Sequence, residues 1–397
     1  MTNSAKSNIC EQEFLLCCAA AVRDDAARAQ FTRLARRDLN WSYVLATSEL
    51  HGLLPLLKAR VEEFCPGVLP AKVSRELTRA CLANAGRNLA LTGELLRILA
   101  LFEAEGIEAV PFKGPALAEQ LFGSVGMRQF CDIDILVKPD AVIHARQVLT
   151  RRGYTPEFSL SPAREAEYIR AEHAFQLRRA EGDVVVELHW SFGSKDQVFP
   201  LAAADVWNRL GQGRLQSHAV RALSVEDLCL YLCMHGAKHR WERLEWICSL
   251  ARLVENNPQI RWDALIETAS HTGALRGLCL GLLLANDICA LPLPVPLAEL
   301  AAGDRDACEL AARVRAGIFD PEPVHRTREF QRHAFYLKSR ERFTDRARIV
   351  WFSCARIPHP LARDWDLFHL PTRMSFLYYL LRPLRLFRDY GLRILQG

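Results

Sequence analysis

Between Gly106 and Trp190 the hydrophobic spacing of this chain changes from helical to alternating, and that switch of period constrains the fold more than any other feature. Upstream, from Glu11 to about Ala100, apolar residues such as Leu89, Leu91, Leu95, Leu96 and Leu99 recur at spacings that build a stripe on a helix. Short runs then follow one another. Ile107 to Phe112 reads as a strand, Lys113-Gly114-Pro115 as a turn, and Ala116 to Leu121 as a helix opened by proline. Cys131 to Val137 alternates apolar and acidic residues, and Ala141 to Arg152 is a helix closed by Gly153. His173 to Arg179 and Val184 to Trp190 are two more strands around Glu181-Gly182-Asp183, a hairpin signal. Ser224 with Asp227 opens a helix in the manner of a capping box, and the period stays helical to the end. The predicted fold class is therefore α/β (α+β): a mixed sheet in a core at 100–215, flanked by helical regions at 1–99 and 216–397.

At 397 residues the chain exceeds what one hydrophobic core usually organises, so several units are expected. Lys and Arg number 51 against 46 Asp and Glu, and an excess of +5 over this length gives no strong nucleic-acid signal. The thirteen cysteines are scattered, odd in number and include no CxxC pair. They argue against a disulfide framework or a zinc ribbon and predict reduced thiols in a cytoplasmic protein. Phe14 to Val22 follows Glu11 and Glu13 rather than the basic start of a signal peptide. Leu278 to Ala285 is halted by Asn286, Asp287 and three nearby prolines, so no transmembrane segment is expected.

The chemistry lies in the alternating strands. Asp132 and Asp134 share one face of Cys131–Val137 while Ile133, Ile135 and Val137 line the other. Their Cα atoms should lie roughly 6.6 Å apart, close enough for both carboxylates to share a divalent cation. An ordinary solvated acidic face is the bland alternative for that triplet alone. Glu187, on a face with Val185 and His189, can bring a third carboxylate from a neighbouring strand, and His189 beside it can orient it. The turn at Lys113-Gly114-Pro115 ends a strand and opens a helix, where backbone N–H groups and the positive helix end favour phosphate. Lys113 and Arg128 can neutralise phosphate charge. Arg128 serves equally well in a salt bridge that positions the carboxylates. After Ser224, His235 and His239 fall on one side of a helix with Lys238 beside them, as nucleotide contacts or as packing residues. Gly236 stands where a zinc protease would carry its glutamate.

In order, Phe112-Lys113-Gly114, then Arg128 before Cys131-Asp132-Ile133-Asp134-Ile135-Leu136-Val137, then Glu187-Leu188-His189-Trp190, then His235 through Trp246, resemble the uncharacterised bacterial nucleotidyltransferase family. That family belongs to the superfamily with the polymerase-β-like palm, and Arg382-Pro383-Leu384-Arg385 near the end is also similar. The resemblance implies a polymerase-β-like mixed sheet and metal-dependent transfer of a nucleoside monophosphate from an NTP, with ATP the expected nucleotide. The acceptor is an unidentified small molecule, peptide or protein. It implies a two-metal mechanism with Mg2+, or Mn2+ in its place: Asp132 and Asp134 hold one ion on the triphosphate, and both with Glu187 hold a second beside the acceptor oxygen, Glu187 being ligand first and base second. It also implies nucleotide contacts from Lys113, Gly114, Arg128, Lys238 and His239. A non-catalytic nucleotide-binding regulator, or an adaptor at a membrane surface or partner, is the alternative. The basic, amphipathic tail from Phe376 to Leu395 bears on that alternative. Packing on the helical unit through Tyr378, Leu381 and Leu384 is its expected use, and a peripheral contact through its arginines the other.

Overall fold

The structure, a computed structural model, describes residues 8–20, 24–194, 197, 199, 201–320, 325–356, 364–365, 367 and 372–386. Helices α1 (Ile9–Ala19), α2 (Asp25–Ala35), α3 (Trp41–Leu50) and α4 (Leu54–Phe64) close on Phe14, Phe31, Leu34 and Leu57. The Asp24 and Asn40 side chains cap α2 and α3 by accepting backbone N–H bonds from Ala27 and Tyr43. Helix α5 (Ala71–Ala104) runs from this bundle to the sheet. Its buried stripe departs from the leucine stripe expected. Leu91 and Leu95 are buried, but Leu89 faces outward and the buried line continues through Asn84 and Asn88. Those amides are buried because they have partners. Asn84 Nδ2 donates to the carbonyls of Gly126 and Arg128, and Asn88 Nδ2 to those of Val125 and Arg128. Helix α5 thereby holds the loop that leads into the acidic strand.

The sheet contains β1 (Ala109–Pro111), β2 (Asp132–Val137), β3 (Thr155–Pro156), β4 (Ala174–Arg179) and β5 (Val184–His189), in the order β1-β2-β5-β4-β3. Strands β2 and β5 are parallel and the other pairs antiparallel. The hairpin expected at Glu181-Gly182-Asp183 forms, with Gly182 and Asp183 at φ 79° and 47°, the left-handed region that glycine and aspartate tolerate. Helices α6 (Gly114–Phe122), α7 (Val142–Arg151) and α8 (Pro162–Ala171) connect the strands. Ile133, Ile135, Val137, Val186 and Leu188 are buried on one face against α5 and α7, each side chain stabilising the unit by about 1.5–3 kcal/mol. A short α9 (Ala203–Trp207) and a separate two-stranded sheet, β6 (Gly211–Leu215) with β7 (His218–Ala222), were not foreseen. Gly211, Gln212, Gly213 and Arg214 offer no alternation to read, and the ribbon forms by backbone pairing with Leu215 and Val220 packed against the core of the larger sheet.

The remaining helices are α10 (Val225–Lys238), α11 (Leu244–Asn256), α12 (Trp262–Thr272), α13 (Leu275–Cys289), α14 (Val295–Gly303), α15 (Arg305–Gly317), α16 (His325–Lys338) and α17 (Phe343–Arg356), then a last helix Tyr378–Leu386. Ser224 caps α10 as expected, its hydroxyl accepting from the Asp227 N–H at 3.1 Å. Helix α13 packs closely on α10, since a Cβ on Gly277 or Gly281 would strike Met234 or Cys233. The cluster around these helices includes Phe112, Leu117 and Leu136, so they pack on the other side of the sheet. Among the described residues no helix is long and apolar enough to cross a membrane.

The end of the chain corrects one expectation. Tyr378 is buried beside Trp365 and Leu381 is half-buried, but Leu384 is 66% exposed. Arg382 and Arg385 turn inward and grip one buried carboxylate, Asp364, at 2.6 Å each. Two guanidinium groups on a shared acid tolerate burial that a lone charge would not, and leucines on the opposite side of the helix face outward in consequence. Residues 387–397, with Phe387, Arg388 and Arg393 of the basic tail, lie outside the described residues.

Candidate active site

The parallel register of β2 and β5 sets Asp134 opposite Glu187, Asp132 opposite Val185 and Leu136 opposite His189. Because alternate residues point to one side, Asp132, Asp134, Glu187 and His189 gather on the face away from α5 and α7. Asp134 is buried, while Glu187 keeps 33% of its side chain exposed. Asp134 Oδ1 meets Lys113 Nζ at 2.6 Å and His189 Nε2 at 3.1 Å, and the same Nε2 lies 3.2 Å from Glu187 Oε2. Asp134 Oδ2 and His189 Nδ1 are buried without a hydrogen-bond partner.

The charges on this face are strongly coupled. Burial, then the like charge of Asp134, pushes the Asp132 carboxyl up to about 6. Burial acts the same way on Asp134, but the Lys113 ammonium and the His189 imidazole outweigh it and hold that carboxyl below its ordinary range. Burial opposes the Lys113 charge, yet Asp134 raises the ammonium well above its usual value. For His189, bonds from Asp134 and Glu187 likewise overcome burial and favour the protonated ring. The arrangement is two neighbouring carboxylates bridged by an imidazole, with a cation locked to the deeper one.

Lys113 is the N-cap residue of α6, and Gly114 follows at φ 50°. A Cβ on Gly114 would lie 2.8 Å from the Asp132 carbonyl oxygen, so the glycine is required for the turn to pass over β2. Arg128, pinned by its carbonyl to Asn84 and Asn88, forms an ion pair with Glu245 of α11 at 2.5 Å. Its salt-bridge partner is that helix, and neither Asp132 nor Asp134. Lys238 ends α10 and His239 caps it. The His235 ring packs on Tyr231, His239 and Trp246 at centroid distances of 5.7, 4.7 and 5.5 Å. Tyr231 in turn meets Phe112, and Phe112 meets His189. The two helix histidines therefore join the carboxylates through a row of rings. Burial, then the Lys238 charge, lowers His239 to about 3, and burial with His239 lowers His235 well below its usual value, so both are neutral near pH 7.

Asp134, Glu187 and His189 each offer a ligand atom within 4.8 Å of the others. The unpartnered Asp134 oxygen and the Asp132 carboxyl, raised by burial and then by Asp134, both fit a divalent cation. Of the predicted trio, the structure brings Asp134 and Glu187 together and leaves Asp132 one strand step away. His189 completes the close set, where the sequence suggested only that it orients Glu187. Its signal was the alternation that puts it on the face of Glu187. Asn84 and Asn88, which hold the loop before Asp132, were missed, and two amides inside an otherwise apolar helical stripe were the sign.

The sequence profile of a family described as "Uncharacterised nucleotidyltransferase" matches residues 37–290. That span takes in the whole sheet and α10 through α13, and ends before the tail. No curated protein matches. Among solved structures, an antigenic nucleotidyltransferase-like protein from Paracoccidioides brasiliensis is similar at 14% identity and a TM-score of 0.27, over 47% of this chain and 91% of its own.

Proposed function

The chain belongs to the family of uncharacterised nucleotidyltransferases, and on that premise we propose that it transfers a nucleoside monophosphate from an NTP, with ATP the expected donor, to an acceptor, releasing pyrophosphate. The observation that carries this reading is the parallel pairing that sets Asp134 beside Glu187 with Asp132 on the same face, next to the turn that opens α6. A divalent cation held by Asp132, Asp134 and Glu187, magnesium first and manganese as substitute, would neutralise phosphate charge and acidify the acceptor hydroxyl. His189 keeps Asp134 and Glu187 side by side. Lys113 and the N-terminus of α6 supply positive charge for the phosphates. The acceptor oxygen forms a bond to the α-phosphorus as the bond to the bridging oxygen breaks, pyrophosphate leaves, and Glu187 takes the acceptor's proton.

We assign catalysis to the unit at 100–215, flanked by helical regions at 1–99 and 216–397. The thirteen free thiols support a reducing, cytoplasmic setting. Incubation with each labelled NTP, magnesium and a cell extract tests the proposal. The expected result is a labelled product and free pyrophosphate that EDTA abolishes. An NTP that raises the melting temperature in magnesium yet labels nothing would make the protein a nucleotide-binding regulator. No magnesium-dependent shift with any NTP would refute the reading.

A further inference from the structure

A cavity of about 940 Å³ opens between the end of α3, the α10–α11 connection, the end of α15 and α16, and none of the four residues of the acidic face lines it. Its size suits a small molecule. Arg240, Arg243, Arg332 and Glu242 line its inner wall, and with Arg128 and Glu245 behind that wall they form a set in which four guanidinium groups share two carboxylates. Glu242 receives Arg332 at 2.7 Å and Arg240 at 3.7 Å, and Glu245 receives Arg128 at 2.5 Å and Arg243 at 3.5 Å. Arg243 and Arg332 each retain a buried Nε–H without a hydrogen-bond partner. Of the remaining charged residues at the cavity, Glu49, Arg313 and Asp320 are exposed at its rim. His51 adds no charge near pH 7, because burial and then Arg243 lower it to about 4. Inside, positive charge exceeds negative, and the donors are planar forks suited to oxyanions.

The backbone there is also strained. Arg240 and Trp241 sit successively at φ 57° and 54°, a left-handed pair without glycine. Trp241 is wholly buried, packed so tightly on Gly236 that a Cβ there would lie 2.4 Å from the indole. That anchoring swings Arg240 to the cavity wall. The cavity is linked to the carboxylate face through buried and half-buried neighbours. Trp246 lines it and touches His235 and His239, Arg128 runs from Glu245 to the loop entering β2, and Arg243 is near enough to bias the Cys131 thiol, next to Asp132. Ile318 and Phe335 add apolar wall for the body of a ligand.

We infer that this cavity is the acceptor site, and that it takes a small molecule bearing a phosphate or carboxylate group which the arginines bind while its hydroxyl is presented toward Asp132. The assignment of an acceptor rests on the transferase reading above. The binding chemistry is tested without it. Calorimetric titration of the full chain in EDTA with inorganic phosphate, and separately with citrate, should show saturable binding of at least one. Phosphate alone would name a phosphate-bearing acceptor, and citrate alone a carboxylate. Arg332→Gln and Arg243→Gln should each weaken that binding at least tenfold. Each leaves Glu242 or Glu245 its other arginine, and circular dichroism checks that the fold is kept. Binding of neither anion, or binding that ignores both arginine variants, would overturn the inference. A magnesium-dependent NTP shift in the same protein would then leave the transferase reading standing, whereas loss of that shift with anion binding intact would remove the acceptor role and keep the anion site.

Discussion

The apolar and acidic faces of the five-stranded sheet are drawn from alternate residues of the same strands, yet they are held by different physics. Ile133, Ile135, Val186 and Leu188 have no exposed surface, and their contribution scales with the area removed from water, whatever the direction of each contact. Asp134, Lys113, His189 and Glu187 hold one another through directional charged contacts, so the cost of losing one depends on the partner left behind. The rigid face is the platform on which the acidic face keeps its register.

Asp134→Ala should give the largest effect, because it leaves the buried Lys113 ammonium unpaired. We expect a loss of about 3–5 kcal/mol in urea unfolding together with loss of transfer. An unchanged midpoint would show that the pair does not hold this face. Ile135→Ala, one residue on and on the opposite face, should cost about 2–4 kcal/mol while each folded molecule keeps its transfer rate. A rate loss out of proportion to the folded fraction would break the separation of the faces. Asp132→Ala should reverse that pattern: a folded protein with transfer down at least about a hundredfold, roughly 2.7 kcal/mol of transition-state stabilisation. Wild-type turnover in magnesium would remove Asp132 from the machinery.

The raised Asp132 carboxyl gives a smaller effect with a definite sign. Its folded value of about 6 exceeds the unfolded 3.8, so the folded state binds the proton more tightly, and stability is lost as the pH rises from about 4 to about 6 and stays lost above that. In EDTA at pH 8, Asp132→Asn should therefore be more stable than the wild type, by about 2 kcal/mol once solvent screening reduces the roughly 3 kcal/mol of the full shift. The gain should vanish as the pH falls to about 4. A gain that grows on acidification would contradict the burial that raises this group. Smallest of all, Leu384→Ser on the exposed side of the last helix should change stability by less than about 0.5 kcal/mol. A larger loss would mean that this leucine is covered in solution.

Much of the sheet was legible because alternation is written directly in residues 131–137 and 184–190, where an acidic residue at every second position must share a face. The same rule placed Glu187 and His189 together, and the hairpin between β4 and β5 followed from Gly182 and Asp183. The β6–β7 ribbon and the tail were less legible. The first pairs through backbone groups that every sequence has, and the second hides its arginines on Asp364, a residue at least 18 positions away.

What the sequence determined by itself, then, were properties of local period: which side chains share a face, where helices start, and that three carboxylates lie on strands. What the tertiary structure decided were partnerships between distant segments. It paired β2 with β5 in parallel, a register that no local pattern encodes, and so made Asp134 rather than Asp132 the immediate neighbour of Glu187. It sent Arg128 to Glu245, over a hundred residues on, and Lys113 to Asp134. Local period is fixed by the geometry of a few bonds, whereas the partner of a buried charge is chosen by whichever opposite charge the packed core carries within reach.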